Sequence, residues 1–163
     1  MTLRMTAAAL IGLALLPAAS GARTAEQRAL WATVNVCDTL PHPDTIGIRG
    51  SMPGTGDPRQ TMWMRFRVQY YDAGADKWRY IRKNGDSGFV KVGSAKFKAR
   101  QAGQLFTIPA PAGGSFRLRG RVIFQWRMGK QVKRTATRLT TAGHRSSSGS
   151  EPAGYSSDTC VIS

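Results

Sequence analysis

The sequence predicts an all-β chain, a single antiparallel β-sandwich with a disulfide joining its first and last strands. Three observations carry this expectation. The segments "TMWMRFRVQYYD" and "SFRLRGRVIFQWRM" alternate with a period of two, as strands with one face in a core do. Short β-branched and aromatic runs recur at hairpin spacing between Gly, Pro and Asn-Gly turn signals. The two cysteines, Cys37 and Cys160, stand near opposite ends in matching strand-like settings, "TVNVCDT" and "SDTCVIS".

The chain opens with a segment that belongs to targeting. Arg4 supplies a positive n-region, Ala7 to Leu16 an apolar run, Pro17 a break, and Ser20 and Ala22 a small-residue cut site before Arg23. This predicts a secretory signal peptide over residues 1–22 and one domain over residues 23–163. The apolar run is too short to span a bilayer, and no later run is longer. A secreted, extracellular, soluble protein is expected. In that compartment a single pair of cysteines forms a disulfide. Joining 37 to 160 closes a loop of about 124 residues, worth about 5 kcal/mol on the chain-entropy model.

The elements follow in order. "TAEQRALW" begins as helix and passes into the strand around "TVNVCDT". "LPHPDTIGIRGSMPGTGDPRQ", residues 40–60, is rich in Pro, Gly and Asp and reads as a loop with one short strand at Ile46–Arg49. In "TMWMRFRVQYYD", Met62, Met64, Phe66, Val68 and Tyr70 face the core, and Trp63, Arg65, Arg67, Gln69 and Tyr71 face out. "AGADK" turns the chain into a strand at "KWRYIRKN", which ends at "NGD". "GFVKV", "AKFKAR" and "QLFTIP" are short strands. In "SFRLRGRVIFQWRM", Phe116, Leu118, Val122, Phe124, Trp126 and Met128 face in; Arg117, Arg119, Arg121, Ile123, Gln125 and Arg127 face out. "MGK" leads into "QVKRTATRLT". The Ser/Gly-rich residues 143–157 read as a flexible loop before the Cys160 strand.

"FRVQYYDAGADKWRYI", with Val68, Tyr70 and Trp78, resembles the third strand and following turn of a fibronectin type III domain. "FRLRGRVIFQWRMGKQ" resembles that fold's sixth strand and last hairpin. The resemblance covers about half of residues 23–163 and implies an immunoglobulin-like sandwich with those two strands adjacent in one sheet. The chain departs from that pattern in its length and its terminal disulfide. Fold of this kind implies no particular activity.

Charge carries the functional signal. The formal net charge is +15, and Arg4 is the single basic residue within 1–22. From Ser87 to Ser150 there is no Asp or Glu, against thirteen Lys or Arg. Such a surface attracts polyanions. Catalytic chemistry has few candidates. His42 lies between Asp38 and Asp44, but prolines flank it and no second His is near, so a solvated turn is expected rather than a metal site. His144 stands alone in the Ser-rich loop. Glu26 and Glu151 are the only glutamates, and no G-x-S-x-G or phosphate-loop signature is present. Met62 and Met64 share a core face with Phe66, which favours packing over copper binding.

No catalytic residue, metal or cofactor is therefore assigned. The candidate site is the outer face of the two alternating strands, where Trp63, Arg65, Arg67 and Tyr71 would stand beside Arg117, Arg119, Arg121 and Arg127 as a cation–π ladder. The leading expectation is a monomeric, non-catalytic secreted module binding an anionic polysaccharide, wall polymer or membrane surface. Specific nucleic-acid recognition is not expected, since no recognition motif is present. The alternatives are an adhesive domain acting through the 40–60 loop and a hydrolase of unrecognised type.

Overall fold

The computed structural model describes residue 24 and residues 28–163. The signal expected over 1–22 lies outside the described residues. Nine strands are named among them: β1 (Trp31–Thr39), β2 (His42–Pro53), β3 (Gln60–Asp72), β4 (Lys77–Tyr80), β5 (Asp86–Ser94), β6 (Ala99–Thr107), β7 (Phe116–Met128), β8 (Gln131–Leu139) and β9 (Cys160–Ile162). All pair antiparallel in two sheets. The smaller runs β1-β2-β6; the larger runs β4-β3-β7-β8, with β5 also on β3 and β9 also on β7.

The two long alternating segments form the centre of the larger sheet. β3 and β7 pair from Gln60↔Met128 to Tyr70↔Leu118. Their inward residues Met62, Met64, Phe66, Val68, Leu118, Val122, Phe124 and Trp126 are all essentially buried. Facing them across the core are Ala32 and Val34 of β1 and Ile46, Ile48 and Met52 of β2. Leu118 and Val122 flank Gly120, where a Cβ would lie 2.8 Å from Ile48 Cδ1. A glycine in the middle of this strand therefore serves close approach of the two sheets, not flexibility.

Cys37 on β1 and Cys160 on β9 are disulfide-bonded, with Cα atoms 5.4 Å apart. Because β1 belongs to the smaller sheet and β9 to the larger, the bond ties first strand to last and one sheet to the other.

Three local expectations are corrected. Residues 40–60 are not mainly loop: β2 occupies twelve of them and is the middle strand of its sheet. Its run from Thr45 to Ile48 is buried without alternation, because the core covers one face and Val36, Leu105 and Thr107 of the neighbouring strands crowd Gly47 and Thr45 on the other. "AKFKAR" and "QLFTIP" are not separate strands; residues 95–98 make a turn and one strand, β6, runs through Thr107. "KWRYIRKN" yields only four strand residues, Lys77–Tyr80, since β5 takes the remaining length of β3's edge.

Candidate binding face on the larger sheet

The outer faces of the two sheets are treated differently by the chain. Thr33, Asn35, Arg49 and Gln101 of the smaller sheet are bonded to the segment 143–157. Asn35 Nδ2 donates to the Gly149 carbonyl at 2.6 Å, and Arg49 Nε to the Ser148 carbonyl at 2.6 Å. Thr33 Oγ1 meets Ser156 Oγ at 2.7 Å, and Ser148 N donates to Gln101 Oε1 at 3.1 Å. The backbone joins in, with Glu151 N on the Asn35 carbonyl and Ser157 N on the Val34 carbonyl. These contacts satisfy groups that burial would otherwise leave unpaired. Asn35 and Thr33 are buried beneath the segment.

The larger sheet's outer face is open and built from rows of arginine and aromatic side chains. Register sets the rows. Arg67 stands opposite Arg121 and Gln69 opposite Arg119; on the far side, Gln69 faces Tyr80 and Tyr71 faces Trp78. Arg67 lies over the Tyr80 ring, 3.6 Å from its centroid, and Arg119 over Trp78 at 4.1 Å. Exposed Arg117 lies 5.7 Å from both Tyr71 and Trp78. At the other end Arg127 lies 4.4 Å from Trp63 and 4.6 Å from Phe89. Each stacked guanidinium keeps its edge N–H groups for other partners.

Those edges are partly committed within the protein. Arg119 Nε donates to Gln69 Oε1 at 2.9 Å, and Arg121 Nη1 to Tyr80 Oη at 2.5 Å. Arg127 donates twice to Gln125 Oε1, at 2.8 and 2.6 Å. Asp86 is the carboxylate set among them. It accepts from Arg65 Nε at 2.8 Å and Nη2 at 2.5 Å. Arg67 Nε sits 3.1 Å from Asp86 Oδ2, a charge contact without hydrogen-bond alignment. The Arg65 guanidinium holds the Asp86 carboxyl below the usual carboxylate range, and Asp86 in turn raises Arg65. Burial pushes the Arg119 guanidinium below its ordinary value, with Arg121 adding to the effect. The sheet thus divides into a half where Asp86 offsets part of the charge of Arg65 and Arg67 and a more cationic half along Arg117, Arg119 and Arg121, at whose edge Tyr71 donates to Asp76 and Asp72 pairs with Arg79.

All seven outward residues expected from sequence, Trp63, Arg65, Arg67, Arg117, Arg119, Arg121 and Arg127, lie on strands β3 and β7 of this one sheet. Sequence reasoning missed the aromatic edge formed by Trp78, Tyr80 and Phe89. Its signal was present in the alternation of "KWRY", which puts Trp78 and Tyr80 on one side. It also missed Asp86, read only as a turn residue.

The remaining sequence candidates have structural partners. Asp38 Oδ1 accepts the Asp44 amide at 2.8 Å, while His42 Nε2 lies 3.4 Å from Glu151 Oε2. No group of three His, Cys, Asp or Glu side chains is arranged to hold a metal among the described residues. His144 stacks on Trp31, with centroids 4.5 Å apart and planes 11° apart, and burial lowers its imidazole pKa. Met62 and Met64 are completely buried. No helix among the described residues is long and apolar enough to cross a membrane. Compared with protein-family models and with curated proteins, the chain matches none.

Proposed function

We propose that this protein is a secreted, non-catalytic module of immunoglobulin-like, fibronectin type III-like architecture that binds extracellular or cell-envelope polyanions through the larger sheet's outer face. One observation carries the reading: residues 143–157 lie over β1 and β2 of the smaller sheet, whereas the larger sheet's outer face carries stacked arginines that are exposed or half-buried. A face that served only solubility would not need guanidinium groups aligned over rings and fixed by hydrogen bonds. Exposed cation–π contacts contribute about 0.5–1 kcal/mol each, but they also hold each donor in place before a ligand arrives, which lowers the ordering cost of binding.

The cationic half offers a regular ridge. Arg117, Arg119 and Arg121 alternate along β7 and so emerge about 7 Å apart on one side. That spacing suits successive sulfates, phosphates or carboxylates on an extended polymer. Each contact would release counterions, so affinity falls steeply as salt rises. Export by a signal over residues 1–22 and the disulfide both fit an extracellular site of action.

Chromatography on heparin and on teichoic-acid resin tests this reading. The parent should elute at high salt. Replacing Arg117, Arg119 and Arg121 together with Gln should shift elution to lower salt and flatten the salt dependence, with the melting temperature nearly unchanged. Equal retention of parent and variant would reduce the ridge to a solvated face.

A further inference from the structure

The end of the molecule at the β5–β6 turn carries a contact surface separate from the sheet face. Residues 95–98 are held in one conformation by the start of the β2–β3 connection. Thr55 N and Gly56 N donate to the Ala95 carbonyl at 3.0 and 2.9 Å, Gly54 N donates to the Lys98 carbonyl at 2.9 Å, and Ala95 N donates to the Gln60 carbonyl at 2.9 Å. A Cβ on Gly54 would stand 1.8 Å from the Phe97 carbonyl oxygen, so the two backbones meet as closely as a glycine permits. Ala95 is fully buried and plugs the core.

Phe97, at the tip of this fixed turn, is half exposed. Its ring contacts the Arg100 guanidinium, 4.1 Å from the centroid. A single exposed apolar residue needs no explanation, but the surroundings of this one are distinctive. Lys96 and Lys98 flank it and are exposed. Exposed Lys130 of the β7–β8 turn is at the same end, because Gln60 pairs with Met128 and also accepts the Ala95 amide. An open recess of about 520 Å³ lies alongside, lined in part by Pro53, Gly54, Ala99, Lys98 and Arg134. Asp57, the acidic residue of the adjoining connection, is neutralised by Arg59 at 3.0 Å.

An exposed aromatic ring at the tip of a hydrogen-bonded turn, flanked by Lys96 and Lys98 with Arg100 against it, matches the chemistry of an anionic bilayer surface. The ring enters the headgroup–acyl boundary, and the lysine stems lie along it with their ammonium groups among lipid phosphates. Each such cation adds about 1 kcal/mol near an anionic surface. We propose that this end of the domain docks on anionic phospholipid membranes, with Phe97 inserted at headgroup depth. The proposal uses no residue of the sheet-face ridge and stands or falls independently of it.

Flotation of the oxidised protein with phosphatidylcholine vesicles, with and without phosphatidylglycerol, tests the proposal. The parent should float only with phosphatidylglycerol present. Phe97→Ser should weaken partitioning about tenfold, and the double change Lys96→Gln with Lys98→Gln should weaken it at least as much, both with parental melting temperatures. Phe97→Trp should add fluorescence that acyl-brominated lipid quenches. The Arg117, Arg119 and Arg121 triple Gln variant should still float. Parental flotation by Phe97→Ser, no flotation of the parent, or unquenched added fluorescence would each overturn the proposal. Loss of flotation in the triple variant alone would assign membrane contact to the sheet instead, and concentration-dependent dimerisation abolished by Phe97→Ser without vesicle binding would assign the turn to a second copy.

Discussion

Arg119 lies over Trp78, its guanidinium carbon 4.1 Å from the indole centroid, while its Nε donates to Gln69 at 2.9 Å. Three strands cooperate in this: β7 supplies the arginine, β3 the acceptor and β4 the ring. The side chain is fixed from below and from one edge, so little rotamer freedom remains to be lost on binding.

Trp78→Leu is therefore expected to weaken polyanion binding about two- to fivefold although it removes no charge. The slope of affinity against salt should stay parental, because the number of ionic contacts is unchanged. Titration calorimetry with a heparin fragment at several salt concentrations checks both. Parental affinity would mean that the arginines act as bulk charge and that the stacking is incidental.

Asp86 sets a pH dependence. Its folded pKa is depressed, chiefly by the hydrogen bonds from Arg65. A carboxyl depressed in the folded state contributes stability above its unfolded pKa and loses it as pH falls through the folded value. Stability on this account is full at neutral pH and declines only below the usual carboxylate range. Asp86→Asn should remove that part of the acid limb and cost about 1–2 kcal/mol at neutral pH, allowing for the partial exposure of the pair. The same change leaves Arg65 and Arg67 without their carboxylate, so polyanion binding should strengthen while stability falls. Urea melts from neutral to acid pH, together with heparin elution, separate the two effects; weaker retention would contradict the division of the sheet.

Loss of the Cys37–Cys160 bond should be costly because the bonded residues are 123 apart in sequence. The double variant Cys37→Ser with Cys160→Ser is expected to lose up to about 5 kcal/mol on the chain-entropy model. Equilibrium denaturation of parent and variant measures it. Since β9 contributes three residues to the larger sheet, its detachment should also raise hydrogen exchange at Phe116 to Leu118, which pair with it. Unchanged exchange there would show that β9 stays docked without the bond.

What was legible in the sequence followed one-sided burial. β3 and β7 each have one face in the core and one in solvent, so their apolar and polar residues alternate, and both strands and their facing could be read directly. β2 was illegible for the opposite reason. It is covered on both faces, and its Gly47 and Gly50 mark close approach of Val36 and Leu105 on one side and of Met64 and Phe124 on the other. Local reading takes such glycines, with Pro43 and Pro53 near the strand ends, for loop signals. Likewise the pairing of Arg65 with Asp86, the stacking of Arg119 on Trp78 and the His42–Glu151 contact join residues from separate elements, and no spacing rule reveals them.

The contact between Gly50 and Phe124 yields the last prediction. Phe124 is completely buried on β7, and a Cβ placed on Gly50 would lie 3.2 Å from Phe124 Cε1 and 3.2 Å from Met64 Sδ. Phe124→Ala should cost about 3–5 kcal/mol through lost burial and the cavity left behind. Gly50→Ala should cost about 1–3 kcal/mol, since the added methyl stands inside ordinary contact distance of the phenyl ring and Met64 Sδ, which must shift to admit it. The two effects should not add. With the phenyl ring gone, the alanine methyl enters the vacated volume, so Gly50→Ala should be nearly neutral or stabilising in the Phe124→Ala background. A double-mutant cycle from denaturant melts gives the coupling, expected at about 1–3 kcal/mol. Additive losses would mean that the methyl is opposed by Met64 rather than by the ring, and that β2 and β7 approach each other less closely at this layer than the paired glycine and phenylalanine require.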